Sequence, residues 1–125
     1  MNEVVKEWVD KAESDFLTAS REFAADKPNY DAVCFHAQQC VEKYMKALLI
    51  IKGRFAPKTH DLAELAKLVE QAVEQWGWPV EELRLLTRAA VIYRYPGESA
   101  EREETSAALE ICRALRENIK ALLEI

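Results

Sequence analysis

The stretch NYDAVCFHAQQCVEKYMKALLIIKG, residues 29–53, decides the fold of this 125-residue chain. Its apolar residues recur at steps of three and four, so they gather on one arc of a helix that turns about 100° per residue. Asn29 can cap the start of this helix, and Gly53 suits the position just after its end. We therefore predict a long helix from about Tyr30 to Lys52. Its buried arc is formed by Val33, Ala37, Cys40, Val41, Tyr44, Met45, Leu48 and Ile51.

The same helical spacing occurs on both sides of this stretch. A first helix ends before ADKPN, residues 25–29. A third helix is predicted to start at a Thr59 cap, with Asp61 near its positive end, and to close at Gly77. The stripe of the first helix is Val5, Trp8, Ala12, Phe16, Ala19 and Phe23. The stripe of the third is Leu62, Leu65, Val69, Ala72 and Trp76.

Two further helices complete the pattern. Pro79 suits the first turn of a fourth helix, which should stop at or before Arg94 because Pro96 disfavours helical geometry in the residues before it. A fifth helix is predicted to begin near Ser99, with acidic residues early and basic residues late, as the helix dipole favours. We predict an all-α fold, a five-helix up-and-down antiparallel bundle that forms one domain over residues 1–125.

The composition limits the partners that we expect. A net charge of −5 argues against DNA, because phosphate backbones attract clustered positive charge, and only a local basic patch could contact RNA. No apolar run approaches the roughly 20 residues of a membrane span, so we expect no membrane partner and a cytoplasmic location.

Cys34 and Cys40 lie about 9 Å apart along one helix, beyond disulfide reach, and Cys112 stands alone. All three are expected to be buried, reduced thiols.

A polar stripe lies opposite the apolar arc of the second helix. One interpretation is a solvated face with an ion pair between Glu42 and Lys46, four residues apart. Because Phe35 and Ile50 lie on the same side, the alternative is a face that another subunit or a partner covers in part. The stripe consists of His36, Gln39, Glu42, Lys43 and Lys46.

The chain offers cations but no metal-binding pattern. His36 and His60 have no further ligand at metal spacing, and we expect no metal and no other cofactor. His60 is expected in the first turn of the third helix, bonded to backbone or packed on a neighbour.

Arginines near the fourth helix can bind phosphate with paired hydrogen bonds, and the adjacent tyrosines offer hydroxyls and ring faces. The simpler alternative is that Arg88 pairs with a glutamate. These arginines are Arg84, Arg88 and Arg94, with Lys52, Arg54 and Lys58 in the preceding loop.

Four segments together resemble the HEPN family, the higher eukaryote and prokaryote nucleotide-binding domains. They are AESDFLTA, FHAQQCVEKYMKALLIIKG, KTHDLAEL and YRYPGE. The resemblance covers nearly the whole chain and implies a helical bundle that forms a homodimer. It further implies a minimal nucleotidyltransferase as partner in a toxin–antitoxin-like pair.

The resemblance also marks a departure from the family's catalytic motif. In catalytic members an Arg is followed after four to six residues by a His, and the two act as a metal-independent endoribonuclease. Counted from Arg88, the positions for that His hold Tyr93, Arg94 and Tyr95. None is histidine. Tyr95 occupies the place of the tyrosine that the paired nucleotidyltransferase can adenylylate in this family.

Two functions follow as expectations. The first is a module without the usual catalytic His that binds a nucleotide or a nucleotidyltransferase partner, with RNA as a further possible partner. The alternative is an endoribonuclease toxin in which Arg88 acts with Tyr93 as a non-standard base, although a phenol is a poor base at neutral pH. A purely structural interaction module would do neither. The expected ligand-binding residues are His36, Gln39, Lys43, Lys46, His60, Arg94 and Tyr95.

Overall fold

The computed structural model describes residues 1–125 and contains five helices and no strand. The predicted all-α five-helix bundle is confirmed. None of the five helices combines the length and the apolar character that crossing a bilayer requires. The helices are α1 (Glu3–Phe23), α2 (Tyr30–Ile51), α3 (Leu62–Ala72), α4 (Val80–Ile92) and α5 (Arg102–Leu123).

Helix α2 lies at the centre of the bundle and contacts all four other helices. Its apolar arc supplies much of the core, and Tyr44, Met45 and Leu48 are fully buried. Burial of each such large side chain stabilises the fold by about 1.5–3 kcal/mol. A helix surrounded on this scale has little surface left for solvent, which determines the environment of its polar residues.

The ends of α2 follow the predicted pattern. The Asn29 side chain accepts a hydrogen bond from the Ala32 backbone N–H at 3.1 Å. Gly53, just beyond the end of the helix, has a φ of 73°, a conformation that glycine adopts without steric cost. The cap and the terminating glycine are both confirmed.

The predicted limits of α3 are wrong at both ends. The cap is Asp61, whose carboxylate accepts from the Ala63 and Glu64 N–H groups at 3.0 and 3.4 Å. Thr59 lies outside the helix, where its hydroxyl accepts from the Asp61 N–H at 3.2 Å. The helix ends at Ala72 because Val73 is extended and buried; Trp76 is therefore buried from a turn.

Helix α5 starts at Arg102, three residues later than predicted. The preceding segment is held against α2 because the Ala100 N–H donates to the Asp31 carboxylate at 2.7 Å. Glu101 is extended at the cap position, and its N–H donates to the Glu104 carboxylate at 2.9 Å. These tertiary and local bonds delay the first helical turn.

All three cysteines are free and completely buried, as predicted. Burial raises the pKa of the Cys34 thiol. The pKa of Cys40 is also raised, by a hydrogen bond with the Cys112 thiol and by burial. The Cys34 and Cys40 thiols therefore stay protonated, and all three buried cysteines act as small apolar core residues.

Candidate functional site

Glu42 is the centre of a buried polar cluster on α2. Glu42 is only 3% exposed, yet four side chains donate to its two carboxylate oxygens. His60 Nδ1 lies 2.9 Å and Gln38 Nε2 3.1 Å from Oε1, and Gln39 Nε2 lies 3.3 Å from the same oxygen. Lys46 Nζ donates to Oε2 at 3.0 Å. The carboxylate is fully satisfied inside the protein.

The predicted ion pair between Glu42 and Lys46 is confirmed, but the solvated face around it is wrong. Lys46 is 5% exposed, and the cover comes from this chain because Lys46 lies over the Trp8 ring of α1. Burial alone would raise the pKa of Glu42, but the bonds from His60, Lys46 and Gln38 outweigh burial and lower it. Glu42 is therefore ionised at neutral pH.

His60 is held at two points and still faces solvent. It lies in the segment before α3 rather than in the first turn of that helix. Gln38 Nε2 donates to the His60 carbonyl at 2.9 Å, while Glu42 binds the ring through Nδ1. The Leu62 N–H donates to Thr87 Oγ1 at 3.1 Å, which ties this segment to α4. The side chain is 78% exposed, and Nε2 has no protein partner.

His36 and Lys43 belong to a separate cluster around Asp15 of α1. His36 Nδ1 lies 2.7 Å from one carboxylate oxygen, and Lys43 Nζ lies 2.5 Å from the other. Asp15 is itself buried. Both predicted ligand-binding residues are thus engaged in joining α2 to α1.

The three arginines near α4 are exposed and form no ion pair. The pairing of Arg88 with a glutamate, the simpler alternative, is not found. The Arg94 guanidinium lies 5.8 Å from the centre of the Phe35 ring. Arg84 and Arg88 line a wide groove between α3 and α4. Helix α4 therefore carries positive charge that no acidic side chain neutralises by contact.

A second groove, of about 190 Å³, lies between α2 and α4 and is called the α2–α4 groove below. It brings together three of the predicted ligand-binding residues, Gln39, His60 and Arg94. An imidazole edge, an amide and a guanidinium thus face one space. Its lining is Phe35, Gln38, Gln39, His60, Thr87, Ala90, Val91 and Arg94.

A third groove, of about 310 Å³ between α4 and α5, contains Arg88 and Tyr93. The Tyr93 hydroxyl donates to the Glu104 carboxylate at 3.2 Å. Burial and the nearby Glu104 charge raise the pKa of Tyr93. The phenol stays protonated at neutral pH, which makes it less suited to accept a proton than a free tyrosine would be.

The remaining predicted cations and Tyr95 lie apart from these grooves. Tyr95 is 63% exposed on the turn between α4 and α5. The loop cations Lys52, Arg54 and Lys58 line none of the three grooves at α4. The predicted site residues therefore divide between the α2–α4 groove, the α4–α5 groove, the Glu42 cluster, the Asp15 cluster and this turn.

Two residues that position the site, Gln38 and Thr87, were not among the predicted site residues. Gln38 stands four residues before Glu42, a spacing at which helical side chains meet, and this spacing was an available signal. Thr87 bonds a backbone group 25 residues away, and no local pattern announces such a contact. Across the chain, no three histidine, cysteine or carboxylate side chains are grouped to hold a metal ion.

Comparison with known proteins supplies a family and a fold. A family model described as HEPN domain matches residues 5–122. TT1696 from Thermus thermophilus is 20% identical with a TM-score of 0.75, over 94% of this chain and 96% of that chain. ST0689, described as an archaeal HEPN homologue, is 21% identical with a TM-score of 0.69 over the same shares. No curated protein matches significantly. At these identities the two structures establish similarity of fold.

Proposed function

The chain belongs to the HEPN domain family, and from this premise we propose that it binds a phosphate-bearing ligand, a nucleotide or an RNA, through the exposed arginines on and just after α4. The observation that carries the proposal is that Arg84, Arg88 and Arg94 form no ion pair. A guanidinium presents a planar fork that matches two phosphate oxygens, and three such forks beside grooves suit an anion-binding surface. This local charge coexists with a net charge of −5.

The predicted ligand-binding residues take different roles in this proposal. Gln39, His60 and Arg94 can touch a ligand directly because they line the α2–α4 groove. Lys46 is buried and neutralises Glu42, so its part is to position His60 through that carboxylate. His36 and Lys43 are bound to Asp15. The ligand is therefore expected on the side of α2 that faces α4.

The endoribonuclease alternative with Tyr93 as base has less support. Its Arg88 is free, but the pKa of Tyr93 is raised by burial and by Glu104. Incubation of mixed-sequence RNA with the protein and EDTA, beside Arg88→Ala, separates the two functions. Binding without fragments supports the binding module, and fragments that only the parent protein produces would support the alternative.

The proposal includes a homodimer and a minimal nucleotidyltransferase partner in a toxin–antitoxin-like pair. The exposed hydroxyl of Tyr95 is accessible to such a partner, which supports it as an acceptor of adenylylation. Co-expression with the neighbouring nucleotidyltransferase should add the mass of one AMP group to the parent and none to Tyr95→Phe. An unchanged mass of the parent would remove this part of the proposal.

Binding is tested with fluorescein-labelled single-stranded RNA and with ATP. Loss of one charge-assisted hydrogen bond costs about 1.5–3 kcal/mol, so Arg88→Ala or Arg94→Ala should weaken binding roughly 10- to 100-fold. Each substitution should also reduce the slope of log affinity against log salt concentration for RNA by the amount expected for about one phosphate contact. Arg113→Ala is the matched control because Arg113 is paired with Glu110 on α5. No binding by the parent, or equal losses in all three variants, would overturn the proposal.

A further inference from the structure

We propose that the α2–α4 groove is a phosphate subsite in which the protonated ring of His60 and the guanidinium of Arg94 bind one phosphate group. Binding of the phosphate is coupled to uptake of a proton at His60 Nε2. This inference rests on the proposed phosphate binding by α4, and it names the groove, the second cation and the proton linkage.

The geometry fixes which nitrogen of His60 faces the ligand. Nδ1 lies 2.9 Å from Glu42 Oε1, and this carboxylate is buried and ionised. Because an ionised carboxylate only accepts hydrogen bonds, Nδ1 carries the proton in the neutral ring as well as in the charged ring. A second proton therefore enters at Nε2, which is exposed and unpartnered. The charged ring then presents an N–H donor to the groove.

The charges around the groove favour an anion there. Glu42 and Lys46 form a pair that sums to zero, so a protonated His60 adds a full positive charge beside Arg94. The acidic groups at the start of α3, the cap Asp61 and Glu64 of the first turn, line the groove between α3 and α4 rather than this one. Two cations facing one space match the two charges of a terminal phosphate, and Gln39 adds an amide.

The arrangement is more than an anchor for a loop. Gln38 and Thr87 already fix the backbone on either side of the ring. A histidine needed only to satisfy Glu42 could be buried with it, yet this side chain is 78% exposed. A ring held at one nitrogen and open at the other is a pre-organised donor, which lowers the ordering cost of binding.

The first test follows both histidine rings by NMR while sulfate is added at constant ionic strength. Sulfate has the shape of phosphate and stays doubly charged between about pH 5 and pH 8, the range over which histidines titrate. Signals of His60 should shift and saturate, whereas those of His36, which lies outside the groove, should not. At the high end of this range His60 should carry its proton on Nδ1. A proton on Nε2, or no response of His60, would overturn the inference.

The second test measures affinity for sulfate and for AMP against pH. Because the ligand favours the charged ring, sulfate affinity should rise about tenfold or more as the pH falls from 8 to 5. His60→Gln should remove this rise, and Arg94→Ala should weaken binding at every pH. Arg113→Ala should match the parent. A pH dependence that survives in His60→Gln would overturn the inference, as would adenosine binding as well as AMP.

The outcomes separate this inference from the proposed function. If RNA or ATP binds, Arg88→Ala weakens this binding, and the NMR signals of His60 do not change, the proposed function stands and the ligand lies in another groove. If neither RNA, ATP nor sulfate binds, both fail. Retained dispersion of the backbone amide signals in His60→Gln will establish that this variant folds.

Discussion

Glu42 holds a negative charge at the centre of a helix that is packed on all sides. Charges of this kind are costly to bury unless partners replace the lost water, and here four side chains do so. As a consequence, one carboxylate fixes the positions of both the His60 ring and the Lys46 ammonium group. The helical spacing of Glu42 and Lys46 predicts that they share one face of α2, but their roles depend on which neighbouring helix covers that face.

The hydrogen-bonded carboxylates Glu13 and Glu42 predict a loss of stability in acid. Bonds from Arg116 lower the pKa of Glu13 despite partial burial, and the pKa of Glu42 is also lowered. A lowered carboxyl pKa contributes stability that is complete above the ordinary value of 4.5 and is lost as the pH falls through the folded-state value. The melting temperature should be flat from pH 7 to about 5 and then fall, by about 4 °C per kcal/mol lost.

Glu13→Gln provides the check on this acid effect. Its amide cannot form the paired ionic bonds that Arg116 makes with Glu13 at 2.7 Å. The variant should have a lower melting temperature than the parent at pH 7, and its melting temperature should fall less steeply between pH 5 and pH 3. Parallel curves for parent and variant would contradict the assignment to Glu13.

Helix interiors and helix ends differed in how well the sequence predicted them. The interior of α2 was predictable because many apolar residues repeat with one period, and the local caps at Asn29 and Gly53 sit beside it. The end of α3 and the start of α5 depend on other signals. Val73 is drawn into the core, and Ala100 bonds to Asp31 from 69 positions away. Such long-range contacts override local propensity.

The start of α3 gives a prediction that distinguishes two candidate caps. Asp61 accepts from two N–H groups of the first turn, so Asp61→Ala should lower the free energy of unfolding by about 0.5–2 kcal/mol. The Thr59 hydroxyl accepts from the Asp61 N–H and donates to the Glu64 carboxylate, but it caps no backbone N–H group of the helix, so Thr59→Ala should cost less. Urea unfolding of both variants measures the difference. Equal losses would show that the segment acts as one unit with no dominant cap.

The bundle as a whole explains why the site residues were only partly predictable. Arg88, Arg94 and Tyr95 were expected around the end of α4; Arg88 lies in its last turns, and Arg94 and Tyr95 lie in the turn that follows. The polar stripe of α2 was divided by tertiary packing: Lys43 faces α1, Lys46 is buried, and Gln39 reaches the α2–α4 groove. A single sequence gives the face on which a residue sits but not which neighbour covers that face.

The predicted homodimer can be tested on the exposed apolar residues of α4. Val91 is 49% exposed between two grooves, with Ile92 and Tyr95 also exposed nearby. We expect a second copy of the chain to cover this surface, because apolar groups beside cations suit a partly polar interface. Val91→Glu should shift the sedimentation coefficient to that of a monomer. Leu17→Glu, an equally exposed change on α1, should not, and equal behaviour would contradict this interface.

The three buried thiols allow chemical labelling to measure how often the core of the protein opens. A maleimide or an aromatic disulfide reacts with cysteine only when the sulfur meets solvent as a thiolate, and none of these sulfurs does so in the native state. Labelling of the parent therefore reports how often the core opens. A cysteine engineered onto the surface would react with a dye quickly, while the three native cysteines would remain unlabelled. A fluorophore can therefore be attached at a single site without first replacing the native cysteines.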